Sequence, residues 1–253
     1  MDRRQALVSG AGLRRVQLRE LHTVTREQCC QRLGAICLIV GSLCVLVARL
    51  AHGDLPTDTG EQALSFVVAS PLYPLVHLGD WVGVLIWTSG LVALSASLTD
   101  RTAWAIGRLG AVSVLLGAAV HITEFSIDGY ALPTLANTWA AAAPADRASL
   151  EYGVRLVLVA IGGPSTSSLA ILWGSTMMLF GLATREGYDS ALGWTGVIVG
   201  AVIFALGAIQ FVKPNVVFPG VILYGGGTIV SQLWTLVLGV VMWRRAHAEA
   251  SQP

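Results

Sequence analysis

Charge is what this chain has least of. Only 12% of its 253 residues are Asp, Glu, Lys or Arg, against roughly 25% in soluble domains. With a net charge of +1 and no basic face left once the topology is assigned, a nucleic-acid partner is excluded. Cysteine is scarce too, and its four residues form no framework. Cys29 and Cys30 are adjacent, on the side expected to be cytoplasmic, while Cys37 and Cys44 fall inside the first apolar run. Without C-x-x-C spacing, neither a redox pair nor a cysteine zinc site is expected. The chain also lacks the pattern of a cleaved signal peptide. Polar, Arg-rich residues 1–32 precede the first apolar run, and no small-residue cleavage site follows it. Nor is there H-E-x-x-H, C-x-x-C-H or any other complete catalytic or cofactor motif.

Long hydrophobic runs are present in their place. A bilayer core of about 30 Å takes roughly 20 apolar residues of helix, and six segments qualify: 33–51, 75–98, 104–123, 154–183, 191–212 and 221–243. Inside hydrocarbon only helices and closed barrels satisfy every backbone group, and runs this long mean helices. The fold class expected is therefore all-α, an integral membrane bundle of about six spans. The arginines orient it. With a cytoplasmic N-terminus, the inside collects Arg3, Arg4, Arg14, Arg15, Arg19, Arg26, Arg32, Arg101, Arg108, Arg185, Arg244 and Arg245. Only Arg49, Arg147, Arg155 and Lys213 remain outside. The organisation expected is a cytoplasmic Arg-rich segment 1–32, a membrane domain 33–243 and a cytoplasmic tail 244–253.

Two stretches depart from simple spans. Segment 154–183 is too long for one crossing, and Gly162-Gly163-Pro164 interrupts it. Either the span starts at Pro164 after an outer amphipathic helix 146–161, or it crosses as one kinked helix. Residues 124–152, with Trp139 among them, read as a long outer loop holding a short surface helix and able to lid what lies beneath. Small residues recur at helical spacing: Gly110, Ser113 and Gly117 on span three, and Gly193, Gly196, Gly200 and Gly207 on span five. Such stripes mark close helix packing in lipid. Gly225-Gly226-Gly227 in span six suggests a bend or a place where something approaches the backbone. Openings at 105–110 and 191–196 are alike enough to hint at a duplicated helical hairpin.

Ionisable groups within a membrane are costly, so each is a functional candidate. Here they gather at one level, the outer third of the bilayer: Arg49, His52, His77, Asp80, His121, Glu124, Asp128, Arg155, Gln210 and Lys213. Three chemistries are compatible with that set. His52, His77 and His121 could bind a divalent metal with a carboxylate in support. His77 and His121 could be axial ligands of a haem between spans two and three. Asp80, Glu124 or Asp128, with His77 and His121, could act as general acid and base on a lipid-phase substrate. The plain structural account has Arg49 pairing with Asp80 and the other groups marking the headgroup boundary. Trp81, Trp104, Trp194 and Trp243 fit interfacial anchors, and Trp87, Trp173 and Trp234 fit packing positions or the walls of an apolar cavity.

The run Asp128-Gly129-Tyr130-Ala131-Leu132, then Leu135-Ala136-Asn137-Thr138-Trp139-Ala140, a Ser/Trp/Gly-rich span and Ala191-Leu192-Gly193-Trp194 resembles uncharacterised multi-span membrane proteins of high-GC Gram-positive bacteria. It covers roughly 100–190. The resemblance implies the helical architecture and a multi-pass protein of a bacterial plasma membrane; it assigns no activity and no residue role. The leading expectation is binding or transformation of a small hydrophobic molecule that enters from the lipid, by an acid/base isomerase, cyclase or hydrolase. The alternative is a non-enzymatic scaffold or partner subunit, homo- or hetero-oligomeric through its glycine faces. A haem or metal protein is third. Transport is disfavoured, because no span carries a charge at the midplane in both halves. Membrane lipids are partners in every reading.

Overall fold

The computed structural model describes the backbone of residues 3–214 and 220–250 and the side chains of 28–214 and 224–248. Eight α-helices follow one another with no strand among the described residues: α1 Arg3–His52, α2 Gly60–Val68, α3 Tyr73–Ser97, α4 Arg101–Ala141, α5 Pro144–Ser168, α6 Thr176–Gly187, α7 Ser190–Val212 and α8 Gly220–Ala250. A π-helical stretch, Leu169–Ser175, joins α5 to α6 without a break. Six helical segments are long and apolar enough to cross a membrane: Gln28–His52, Tyr73–Ser97, Arg101–Ala141, Pro144–Gly187, Ser190–Val212 and Tyr224–Ala248. That architecture supports a multi-pass membrane protein.

Polarity is arranged as lipid would demand. Leu43, Val47, Leu85, Leu109, Ile198, Val202 and Val237 are exposed on the outside, while Ser42, Thr88, Ser95, Thr176, Ser231 and Thr235 are buried. The interior is held by aromatic packing and hydroxyl bridges. Trp87 and Trp173 meet with ring centroids 5.3 Å apart. Thr235 Oγ1 accepts from Trp87 Nε1 at 3.0 Å and lies 2.9 Å from Ser42 Oγ, tying α1, α3 and α8 together. Trp87, Trp173 and Trp234 are thus packing residues of the main core.

The glycine stripes are filled by the chain's own helices. A Cβ on Gly117 would lie 2.7 Å from Leu172 Cα, and one on Gly207 2.8 Å from the Ala170 nitrogen. Gly196 faces Trp234 and Gly181, and Gly200 sits on the Met178 backbone. In the glycine triplet, Gly225 lies under the Arg49 guanidinium, Gly227 faces Leu169 and Gly226 faces open space.

Short turns close one end of the bundle, and both are capped. Asp100 accepts from the Ala103 N–H at 2.8 Å, and Asp189 from the Leu192 N–H at 2.7 Å. At the other end the helices overrun. α4, at 41 residues, is about 60 Å long, twice the thickness of a bilayer core. The expected outer loop 124–152 is instead the C-terminal part of α4, a tight turn at Ala142–Ala143 and the start of α5. Leu132, Ala136 and Trp139, one helical face, are buried against Leu55, Leu64, Val67 and Val154 in a second, smaller core with α2. Trp139 is therefore a helical core residue, and its Nε1 donates to Glu151 at 3.1 Å.

The other long stretch resolves as one continuous helix from Pro144 to Gly187. Pro164 does not start a span; it lies inside α5. Its missing N–H removes one helical hydrogen bond, and the neighbouring hydroxyls lie against carbonyls of the preceding turn. Thr166 Oγ1 reaches the Gly162 and Gly163 carbonyls at 3.0 Å each, and Ser165 Oγ the Ile161 carbonyl at 2.9 Å. The helix then widens into the π stretch, a distortion often found at functional sites.

Candidate functional site

Two faces build the site. On α3, Tyr73, His77 and Asp80 stand at i, i+4 and i+7; on α4, His121, Glu124, Phe125 and Asp128 stand at i, i+3, i+4 and i+7. Their contact places buried polar groups in two tiers, with the Phe125 ring between them, 4.2 Å from His121 and 5.1 Å from His77.

The inner tier is a linear series. His121 Nε2 is 2.6 Å from Asp80 Oδ2, and Nδ1 on the opposite edge of the same ring is 2.6 Å from the Tyr224 hydroxyl. With Asp80 ionised and the ring neutral, Nε2 donates to Asp80 and Nδ1 accepts from Tyr224. Asp80 and His121 are 3% and 1% exposed, so both are enclosed by the protein. The Trp173 ring of the π stretch meets His121 edge-on at 5.6 Å. Beside Tyr224 stands Glu124. Ser165 Oγ donates to its Oε1 at 2.5 Å and Ser168 Oγ to its Oε2 at 3.1 Å, while the Tyr224 hydroxyl is 3.5 Å from Oε2.

The outer tier gathers His52 from the end of α1, His77 and Tyr73 from α3, and Asp128 from α4. The Tyr73 hydroxyl donates to Asp128 Oδ1 at 2.7 Å. Asp128 Oδ2 lies 3.1 Å from His77 Nε2 and 3.8 Å from His52 Nε2, and the two imidazole nitrogens are 3.2 Å apart. His52 is brought in by Gly53, which turns the chain at φ 67°, a left-handed conformation suited to glycine after a helix C-terminus. Gly129 lets α4 close on His77; a Cβ there would come 2.5 Å from His77 Cβ.

Both tiers border a cavity of ≈ 680 Å³ between α1, α4, α5, α7 and α8, within the range of small-molecule sites. Its wall is apolar at Ala48, Leu55, Leu158, Val159, Ile161, Leu169 and Phe211, and polar at Arg49, His52, Glu124, Asp128, Arg155, Ser165, Gln210 and Tyr224. Gln210 is 5% exposed, and its Oε1 has no hydrogen-bond partner among the described residues.

Of the residues singled out in the sequence, His52, His77 and Asp128 converge in one tier, and Asp80, His121 and Glu124 in the other. The trio His52, His77, His121 does not form, because His121 belongs to the inner tier with both ring nitrogens engaged. The same engagement leaves no facing pair of His77 and His121 for a haem. The expected Arg49–Asp80 pair is replaced: Arg49 binds Asp54 and the Gly53 carbonyl, each at 3.1 Å. Sequence reasoning missed Tyr73, Ser165, Ser168 and Tyr224. Hydroxyl residues are common in apolar helices, and only the position of Tyr224 directly before three glycines set it apart. The chain matches no protein-family model, no curated protein and no solved structure.

Proposed function

We propose that this protein binds an amphipathic, lipid-phase small molecule in the cavity and transfers a proton on it. The carrying observation is the Asp80–His121–Tyr224 series ending on the cavity wall beside Glu124. Asp80 fixes the tautomer of His121, and His121 accepts the Tyr224 proton, as in catalytic triads where a hydroxyl is the end of the series. Tyr224 and Glu124 are the catalytic residues; Asp80 and His121 act through Tyr224. Proton removal at one and return at the other is what an isomerase or cyclase needs, and a hydrolase can use the same pair on water. Arg155 at the rim and the unpartnered Gln210 oxygen suit a polar head, with the apolar wall taking the tail. We further place the protein in the plasma membrane with both ends cytoplasmic, supported by the arginine asymmetry.

A scaffold role through the glycine faces has less to rest on, because those faces pack within the chain. The test is a comparison of lipid extracts by mass spectrometry from cells expressing wild type, Tyr224→Phe or no protein. Wild type should shift a small set of species that the folded Tyr224→Phe protein leaves at the empty-vector level. Identical extracts from wild type and the folded variant would remove the proposal.

A further inference from the structure

The outer tier carries more order than the proton-transfer reading uses. His52 Nδ1 is 2.9 Å from the Gly53 carbonyl, and His77 Nδ1 is 2.8 Å from the Tyr73 carbonyl. Carbonyls only accept, so both Nδ1 atoms are donors and both neutral rings present bare lone pairs at Nε2. Those lone pairs face each other at 3.2 Å, with Asp128 Oδ2 3.1 and 3.8 Å away. Three acceptors thus converge on one point with no donor between them. A shared proton can bridge two of them and leaves the third repelled. A metal cation satisfies all three.

We infer that His52, His77 and Asp128 bind one divalent transition-metal ion, and that the ion is zinc. Zinc bonds of about 2.0–2.1 Å at the tetrahedral angle set neighbouring ligand atoms roughly 3.3 Å apart. The observed edges of 3.1 and 3.2 Å lie close to that spacing, and the third, His52 to Asp128 at 3.8 Å, closes to it with a small movement of His52. Six-coordinate ferrous iron, with ligand atoms roughly 3.0 Å apart, fits the two shorter edges as well, and only the 3.8 Å edge favours the wider tetrahedral spacing. Two imidazoles and one carboxylate are a ligand set of catalytic zinc sites, shared with non-haem ferrous iron, which the cobalt spectrum below separates. Every ligand is also held from behind, as metal ligands are: His52 by the Gly53 carbonyl, His77 by the Tyr73 carbonyl, and Asp128 by the Tyr73 hydroxyl. Tyr73 thereby supports two ligands at once. His52 and Asp128 border the cavity whereas His77 does not, so the fourth position opens to the cavity, as in catalytic rather than structural zinc sites. There the ion would take water or an anionic or carbonyl oxygen of the bound molecule. This inference stands apart from proton transfer at Tyr224, since metal binding is measured without any activity.

The experiment uses the full chain purified in detergent, first analysed for metals, then stripped with chelator and titrated with Zn²⁺ against a chromophoric competitor. One zinc per chain is expected. Binding should vanish in His52→Ala and Asp128→Ala, weaken roughly 10–100-fold in Tyr73→Phe, and persist in Glu124→Gln. The stripped wild type should bind Co²⁺ with the intense visible bands of four-coordinate cobalt and gain thermal stability with Zn²⁺. That readout does not depend on any variant folding. Failure of the wild type to bind or be stabilised by Zn²⁺ would overturn the site in favour of a shared proton. Equal binding by His52→Ala and Asp128→Ala would overturn the ligand set, and a six-coordinate cobalt spectrum would overturn zinc.

Discussion

At the scale of single residues, the ionisable groups were legible because a charge in an apolar helix is costly and therefore conspicuous. Their grouping toward one end of the spans was legible as well, since it follows from position along each run. Azimuth was not. Arg49 and Asp80 share a level, yet the rotation of α3 turns Asp80 toward His121, and Arg49 reaches forward to Asp54 instead. The consequence is that Asp80 and His121 depend on each other in a place without water. Removing one partner of such a pair typically costs about 3–5 kcal/mol, because the other is left buried and unmet. Asp80→Ala is expected to lose that much in denaturant titration of the detergent-solubilised protein. Asp80→Asn, whose amide oxygen still accepts from Nε2, should lose far less. Equal losses in the two variants would mean that the hydrogen bond is not what holds His121.

At the scale of elements, apolar run length located all six membrane-competent helices but misjudged where two of them stop. Hydropathy falls after residue 123, which suggested a loop. The helix nevertheless continues, because Leu132, Ala136 and Trp139 keep the i, i+4, i+7 face and α2 supplies a surface to bury it. A short amphipathic face of that kind is easily hidden by Asp128, Pro133 and Thr134 around it. Gly162-Gly163-Pro164 allowed either a new span or one kinked helix, and one continuous helix with a π stretch after the proline is what forms. The glycine stripes allow a sharper check. Gly117→Ala would drive a Cβ to 2.7 Å from Leu172 Cα, a backbone contact that cannot rotate away, and should destabilise by about 1–3 kcal/mol. Gly226→Ala meets nothing within 4 Å and should stabilise α8 by up to about 1 kcal/mol through helix propensity alone. Thermal unfolding of both proteins in one detergent decides it; a loss at Gly226 would mean that the face is occupied.

At the scale of the whole molecule, polarity and length act together. α4 and the continuous helix from Pro144 to Gly187 are longer than a single crossing needs, and their ends opposite the two capped turns carry α2 and the second core. Which end faces out is a question of charge alone: the short turns at 98–100 and 188–189 adjoin Arg101 and Arg185, whereas the turn at Ala142–Ala143 adjoins Arg147 only. If arginine sets the orientation, the overrun end is external. In a variant with Cys29, Cys30, Cys37 and Cys44 replaced, a single thiol at Ala145→Cys should then react with an impermeant maleimide in intact cells. Thr99→Cys, equally exposed at the opposite end, should react only after the membrane is opened. The reverse pattern would turn the molecule over and make the cavity a cytoplasmic one. Its zinc would then be drawn from the cell's interior and its substrate from the inner leaflet, so the labelling result fixes which leaflet to search for the molecule that the cavity holds.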